Sequence, residues 1–193
     1  MAKILLCIFL IVVVISAGIV IGQNLDLQLL KAINFSNQPI YNFTEPVISQ
    51  NWFAGLLGLS SMPFEPIKTI VAAGLTFTEV TIIKNTFKRP RPFETLSWVK
   101  QRAKASGYSM PSGHAAMAFE SAYLWSKIFP SMSLLFYSVA TYVALSRVYY
   151  GVHYPSDVLV GAVIGYITAK LTYEFLKPYR SSHDVTVGFS KCF

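Results

Sequence analysis

Ser146 to Asp157 reads SRVYYGVHYPSD and stands between two apolar runs, as a turn joining two membrane helices would. Within it lie Arg147, His153 and Asp157, three groups that a hydrocarbon environment tolerates only where protein or water holds them. Arg147 closes the incoming helix, His153 sits in the turn, and Asp157 opens the outgoing helix after Pro155 and Ser156. A histidine beside a carboxylate able to orient it, with a guanidinium near to bind an anion, fits covalent phosphoryl transfer. Two further stretches test that reading: Lys84 to Pro92 (KNTFKRPRP) and Pro111 to His114 (PSGH).

The composition agrees with a membrane setting. Of 193 residues, 53% are hydrophobic and only 13% charged, and the apolar residues come in long blocks. This is the pattern of an all-α polytopic membrane protein, one integral domain over 1–193, not of a soluble core. The net charge of +7 is concentrated in one loop. That suits lipid headgroups and membrane topology. Nucleic acid is excluded as a partner, because no soluble basic domain remains once the spans are removed. Cys7 and Cys192 fall at different depths and are not expected to pair.

Six apolar segments are expected to span. Ile4–Ile21 is uncharged and rises roughly 27 Å as a helix, near the hydrocarbon thickness. It also fits a signal peptide, though its length favours a retained span. Val47–Met62 is weaker, with Asn51 and two glycines inside it. Ile67–Ile83, Gly113–Phe129, Met132–Tyr150 and Val158–Leu176 complete the set. Gly161 and Gly165 give the last span a small-residue face for close helix packing. Between the first two spans, Asn24–Tyr41 carries apolar residues at 25, 27, 29, 30 and 33, the pattern of an interfacial helix. The tail 177–193 is polar, and His183 within it reads as a solvated histidine.

Six spans bring the three polar stretches to one face. The third span ends at Lys84, the fourth begins after PSGH, and the fifth returns to the same side at Arg147.

The residue types on that face suit a phosphate. Lys84 ends a helix, and Arg91 lies between two prolines that stiffen its backbone; an ammonium and a guanidinium so held complement a spread negative charge. Lys88 and Arg89, by contrast, read as an ordinary positive flank. Ser112 is placed to cap a helix, and Gly113 lets an anion approach the free N–H groups of its first turn. His114, in that turn, is placed as a general acid. Glu79 and Glu120 read as interior groups held by hydrogen bonds.

Lys84 with Arg91-Pro92, Pro111-Ser112-Gly113-His114, and Ser146-Arg147 with His153 and Asp157 together resemble the three-part signature of the type 2 phosphatidic acid phosphatase superfamily. The resemblance covers 84–165. It implies a six-helix membrane lipid phosphatase needing neither metal nor other cofactor, its active site at one membrane face. It further implies that His153 is the nucleophile, Asp157 its orienting carboxylate and His114 the proton donor. Lys84, Arg91, Arg147, Ser112 and Gly113 would hold the phosphoryl oxygens. The substrate would be a membrane lipid: a polyprenyl diphosphate, phosphatidylglycerol phosphate, phosphatidate or lipid A phosphate. A phosphotransferase passing the group to another lipid or sugar would use the same residues.

The insert Phe93–Met110, with Trp98, Tyr108, Lys100, Arg102 and Lys104, either selects a headgroup or anchors its loop. Lys and Arg counts leave the orientation undecided. The family implies a bacterial plasma membrane location with the site facing outward.

Overall fold

The computed structural model describes residues 23–176 except 37, and side chains at 23, 51 and 52 are left aside. Every regular element among them is helical. They are α1 (Gln23–Phe35), α2 (Pro39–Ile48), α3 (Asn51–Leu59), α4 (Pro66–Phe87), α5 (Pro92–Thr95), α6 (Gly113–Ile128), α7 (Ser133–Tyr149) and α8 (Pro155–Phe175), with a 3-10 turn at Pro130–Met132. The expected span Ile4–Ile21, both cysteines, His183 and the tail 177–193 lie outside the described residues.

Four expected spans appear as continuous helices: α4, α6, α7 and α8. Of the described residues, only the segments beginning at Pro66 and Pro155 are long and apolar enough to cross a membrane by themselves. α6 and α7 are shorter, at 16 and 17 residues. The fifth, Val47–Met62, is not one helix. Gln50 takes an extended conformation (φ −72°, ψ 141°), which divides the segment into α2 and α3. A polar pair, Ser49-Gln50, interrupts the apolar run there, and the break frees carbonyls that a continuous helix would consume.

α6 is the centre of the bundle, with almost every residue of its first three turns buried. It packs most extensively on α8, then on α7. The closeness of the first pair comes from Gly161 and Gly165, as the small-residue face predicted. A β-carbon at Gly165 would collide with the Ala116 backbone, and one at Gly161 with the Ser112 carbonyl. Outward faces stay apolar: Ile67, Phe77 and Leu134 are mostly exposed, as suits helices solvated by lipid.

α1 does not sort apolar from polar residues as the expected interfacial helix would. Asp26, Leu30 and Asn34 face inward at helical spacing, whereas Leu25, Leu27 and Leu29 are exposed together with Gln28 and Lys31. Its packed stripe is two polar groups around a buried leucine. Asn34 donates to the carbonyls of Lys100 and Tyr149 (2.9 and 3.0 Å) and accepts from the Lys100 N–H (2.9 Å), tying α1 to the insert and to α7.

Candidate active site

One end of the bundle closes around a cavity of about 380 Å³. Lys84 enters it from the end of α4, Arg91 from the following loop, and Gly113 and His114 from the start of α6. Arg147 comes from the end of α7 and His153 from the turn into α8. Six of the eight predicted site residues thus line one space. Asp157 lies behind His153, and Ser112 behind Gly113.

The turn that carries His153 depends on Gly151, whose φ of 73° favours glycine. A β-carbon there would also strike the Lys100 carbonyl. His153 is buried, with Nε2 3.4 Å from Arg91 Nη1 and Nδ1 3.6 Å from Asp157 Oδ2. The second separation exceeds a hydrogen bond; closing it takes a shift of about 0.5 Å. Burial holds the imidazole well below its ordinary pKa, against the opposing pull of Asp157, so the ring is neutral near pH 7.

Asp157 is fully buried and unusually well held. Its Oδ1 accepts from Arg89 Nη1 at 2.7 Å. Its Oδ2 accepts from the Tyr154 N–H at 2.9 Å and from the Ser109 hydroxyl. Arg89 is held in turn: Nη2 donates to Asp26 Oδ2 (2.9 Å), Nη1 also donates to the Ser156 hydroxyl (2.7 Å), and the guanidinium lies 3.8 Å from the Tyr154 ring centroid. Arg89 is therefore not a simple positive flank. Its two acidic partners lie far away in sequence, which is why the local reading missed it, along with Asp26 and Ser109.

The cations are held by main-chain carbonyls. Arg91 donates to Gly107 through Nε, to Val152 through Nη1 and to Ser106 through Nη2, at 2.8–2.9 Å. Lys84 donates to the Tyr108 carbonyl at 2.7 Å. Arg147 Nη1 reaches the Ile48 carbonyl at 3.3 Å, while its Nε is buried without a partner among the described residues. His114 donates through Nε2 to the Gln50 carbonyl at 2.9 Å, which leaves Nδ1 as the other ring nitrogen. Both of those carbonyls flank the α2–α3 break.

Ser112 acts locally. Its hydroxyl accepts from the Ala115 N–H as the α6 cap, and its own N–H donates to the Asp157 carbonyl at 2.9 Å. Among the described residues, no three His, Cys, Asp or Glu side chains gather as a metal site would require.

The PAP2 superfamily model matches residues 66–180, more than half of the chain. The chain belongs to the PAP2 superfamily. It is 29% identical over 164 residues to the lipid A 4'-phosphatase of Bacteroides thetaiotaomicron, which covers 74% of this chain and 73% of that protein. It is also 29% identical over 102 residues to a lipid A 1-phosphatase of Rhizobium etli, covering 50% of this chain and 43% of the relative. Among solved structures, Aquifex aeolicus LpxE superposes with a TM-score of 0.69 at 29% identity, covering 78% of this chain and 95% of that one. A transmembrane PAP2-type phosphatidylglycerolphosphate phosphatase from Bacillus subtilis shares the fold, with a TM-score of 0.65 at 24% identity over 93% of this chain. As a PAP2 protein with these relatives, the chain is an integral membrane phosphatase.

Two glutamates differ from each other. Glu79 accepts from Thr168 at 2.6 Å, as expected of an interior structural group. Glu120 is buried, and neither carboxyl oxygen has a hydrogen-bond partner among the described residues, contrary to expectation. In the insert, Trp98 packs on Phe35, and Arg102 both donates to the Tyr149 carbonyl (2.8 Å) and stacks on its ring. These are anchoring contacts; Lys104 stays exposed.

Proposed function

We propose that this PAP2 enzyme, a lipid phosphatase, removes phosphate from a membrane lipid through a phosphohistidine formed on His153. The observation that carries the lipid substrate is the make-up of the cavity wall. Lys84, Arg91 and Arg147 line it, and along α4 the lining passes from Lys84 through Thr81 and Val80 to Phe77, about two turns away, with Ala54 and Gly55 from α3 and Met117 from α6. Phe77 lies 65% exposed on the outer face of α4. A molecule with an anionic head and an apolar tail matches both parts of this wall; a soluble sugar phosphate matches only one.

In this reading each group has a role that its position supports. With its proton on Nδ1 facing Asp157, His153 presents the Nε2 lone pair to phosphorus. Arg91, beside that nitrogen, binds the equatorial oxygens with Lys84 and Arg147, where negative charge is held in the transition state. The Gly113 N–H, one of the groups at the start of α6 with no intrahelical carbonyl, adds a donor. As the P–O bond breaks, His114, protonated on both ring nitrogens beside the bound anion, gives its Nδ1 proton to the departing lipid oxygen and keeps Nε2–H on the Gln50 carbonyl, while Asp157 stabilises the His153 imidazolium. Water then attacks phosphorus, passing a proton to His114 Nδ1, and cleaves the P–N bond, returning phosphate and free His153. Ser112 serves by fixing the α6 start and the Asp157 backbone.

The lipid A phosphatase relatives favour a lipid A phosphate among the candidate substrates. Polyprenyl diphosphate, phosphatidylglycerol phosphate and phosphatidate share the same head chemistry. The site would face the exterior of a bacterial plasma membrane. Phosphate release from purified enzyme against these four lipids is the direct test. Free phosphate formed without an added acceptor supports hydrolysis; phosphoryl transfer onto an added lipid or sugar, with no free phosphate in its absence, makes the enzyme a phosphotransferase. Turnover of water-soluble sugar phosphates at rates equal to the lipids would overturn the lipid assignment.

A further inference from the structure

We infer that Asp26, on α1 and outside the region matched by the superfamily model, is a positioning residue that keeps the Asp157 carboxylate available to His153 by drawing off the charge of Arg89. The inference rests on the roles given above to His153 and Asp157. It begins from a cost. Three acidic or basic groups, Asp26, Arg89 and Asp157, are gathered at the head of α8, two of them almost fully buried. Burying ions is expensive unless each is matched.

The contacts show how they are matched. Asp26 accepts from the Ser156 N–H (2.8 Å), from the Ser156 hydroxyl and from Arg89 Nη2 (2.9 Å). Arg89 divides its donors, Nη2 to Asp26 and Nη1 to Asp157. Asp157 needs negative charge at Oδ2, the oxygen facing His153 Nδ1, when the imidazole becomes cationic. An arginine paired to Asp157 alone would compete with that imidazolium for the same carboxylate. Two carboxylates sharing one guanidinium leave a net negative charge at the head of α8, facing a histidine already crowded by Arg91 and Lys84. α1 therefore belongs to the catalytic unit. Its packed stripe delivers Asp26 to Arg89 and Ser156, with Leu30 and Asn34 fixing the helix behind it.

Removing one charge and then the other separates this from simple support. Asp26→Asn preserves shape, and leaves Arg89 wholly on Asp157. It should lower kcat about tenfold with little change in KM, since bound substrate does not touch it. Adding Arg89→Gln removes the competing cation, so Asp26→Asn/Arg89→Gln should be more active than Asp26→Asn alone. Losses that multiply, an unchanged kcat in Asp26→Asn, or a loss confined to KM would each overturn the inference. Should Asp26→Asn fail to fold, the double variant is compared with Arg89→Gln: with the guanidinium gone Asp26 has no charge to draw off, so the two should turn over within about twofold of each other. A kcat about tenfold lower in the double variant would make Asp26 a support of Ser156 alone and overturn the inference. Wild-type enzyme from which no acid-labile phosphate can be trapped would instead defeat the phosphohistidine reading, a distinct result.

Discussion

Arg91 Nη1 stands 3.4 Å from His153 Nε2, the ring nitrogen turned away from Asp157. One imidazole thus has a carboxylate at one nitrogen and a guanidinium at the other. In the proposed mechanism that polarity selects the attacking atom: a proton favoured at Nδ1 leaves the lone pair at Nε2, on the side of the guanidinium proposed to bind the anion.

His153→Ala should reduce turnover to background with every substrate. Asp157→Asn should retain a residue of activity, lower than wild type by about two to four orders of magnitude, because the carboxylate orients and stabilises but forms no bond to phosphorus. Quenched-flow trapping of acid-labile, base-stable phosphate checks both. Phosphate trapped on His153→Ala would place the nucleophile elsewhere.

His114→Ala should discriminate among leaving groups. A lipid or sugar alkoxide departs poorly, so the loss with a monoester should be about two to four orders of magnitude. Nitrophenolate needs little help, and there the variant should be far less impaired. Equal losses on p-nitrophenyl phosphate and a lipid monoester would make His114 a phosphate-binding group.

Activity should persist in EDTA, since Lys84, Arg91 and Arg147 supply the cationic charge that metals supply elsewhere. Vanadate should compete with substrate, its trigonal-bipyramidal form resembling the attacked phosphorus. A loss in EDTA that added Mg²⁺ restores would contradict this.

Acid should destabilise the fold through His153. Its folded pKa lies below the ordinary value because of burial, so the unfolded chain takes up a proton near pH 6.5 that the folded one refuses. The stabilisation is complete above about pH 7 and falls by roughly 1 kcal/mol per unit below that range. Thermal unfolding in detergent at pH 7.5, 6.5 and 5.5 should slope less steeply for His153→Gln than for wild type. Parallel slopes would mean that His153 titrates normally in the fold.

Most of the site was legible because its chemistry is local: each motif sits at a helix end, and parity brings the ends together. Three features were not. Arg89 looked like a topology signal because Asp26 and Asp157 lie 63 and 68 residues away. α1 looked like an interfacial helix because leucines outnumber Asp26 and Asn34, and periodicity cannot say that Asp26 and Asn34 pack inward with Leu30. Val47–Met62 looked like a weak span, when its weakness was a break whose carbonyls receive Arg147 and His114. Interior contacts between distant segments decide all three.

The insert holds Arg91 and Lys84 through the carbonyls of Ser106, Gly107 and Tyr108, not through its side chains. A carbonyl is the same for every residue type. Side-chain identity at Ser106 and Tyr108 is therefore free to vary without loss of these bonds, whereas Gly107, at a φ of 68°, is held to glycine by its backbone. What the two cations require of this loop is its path and its length, so a residue inserted between Arg91 and Met110 should cost more than a substitution at Ser106 or Tyr108.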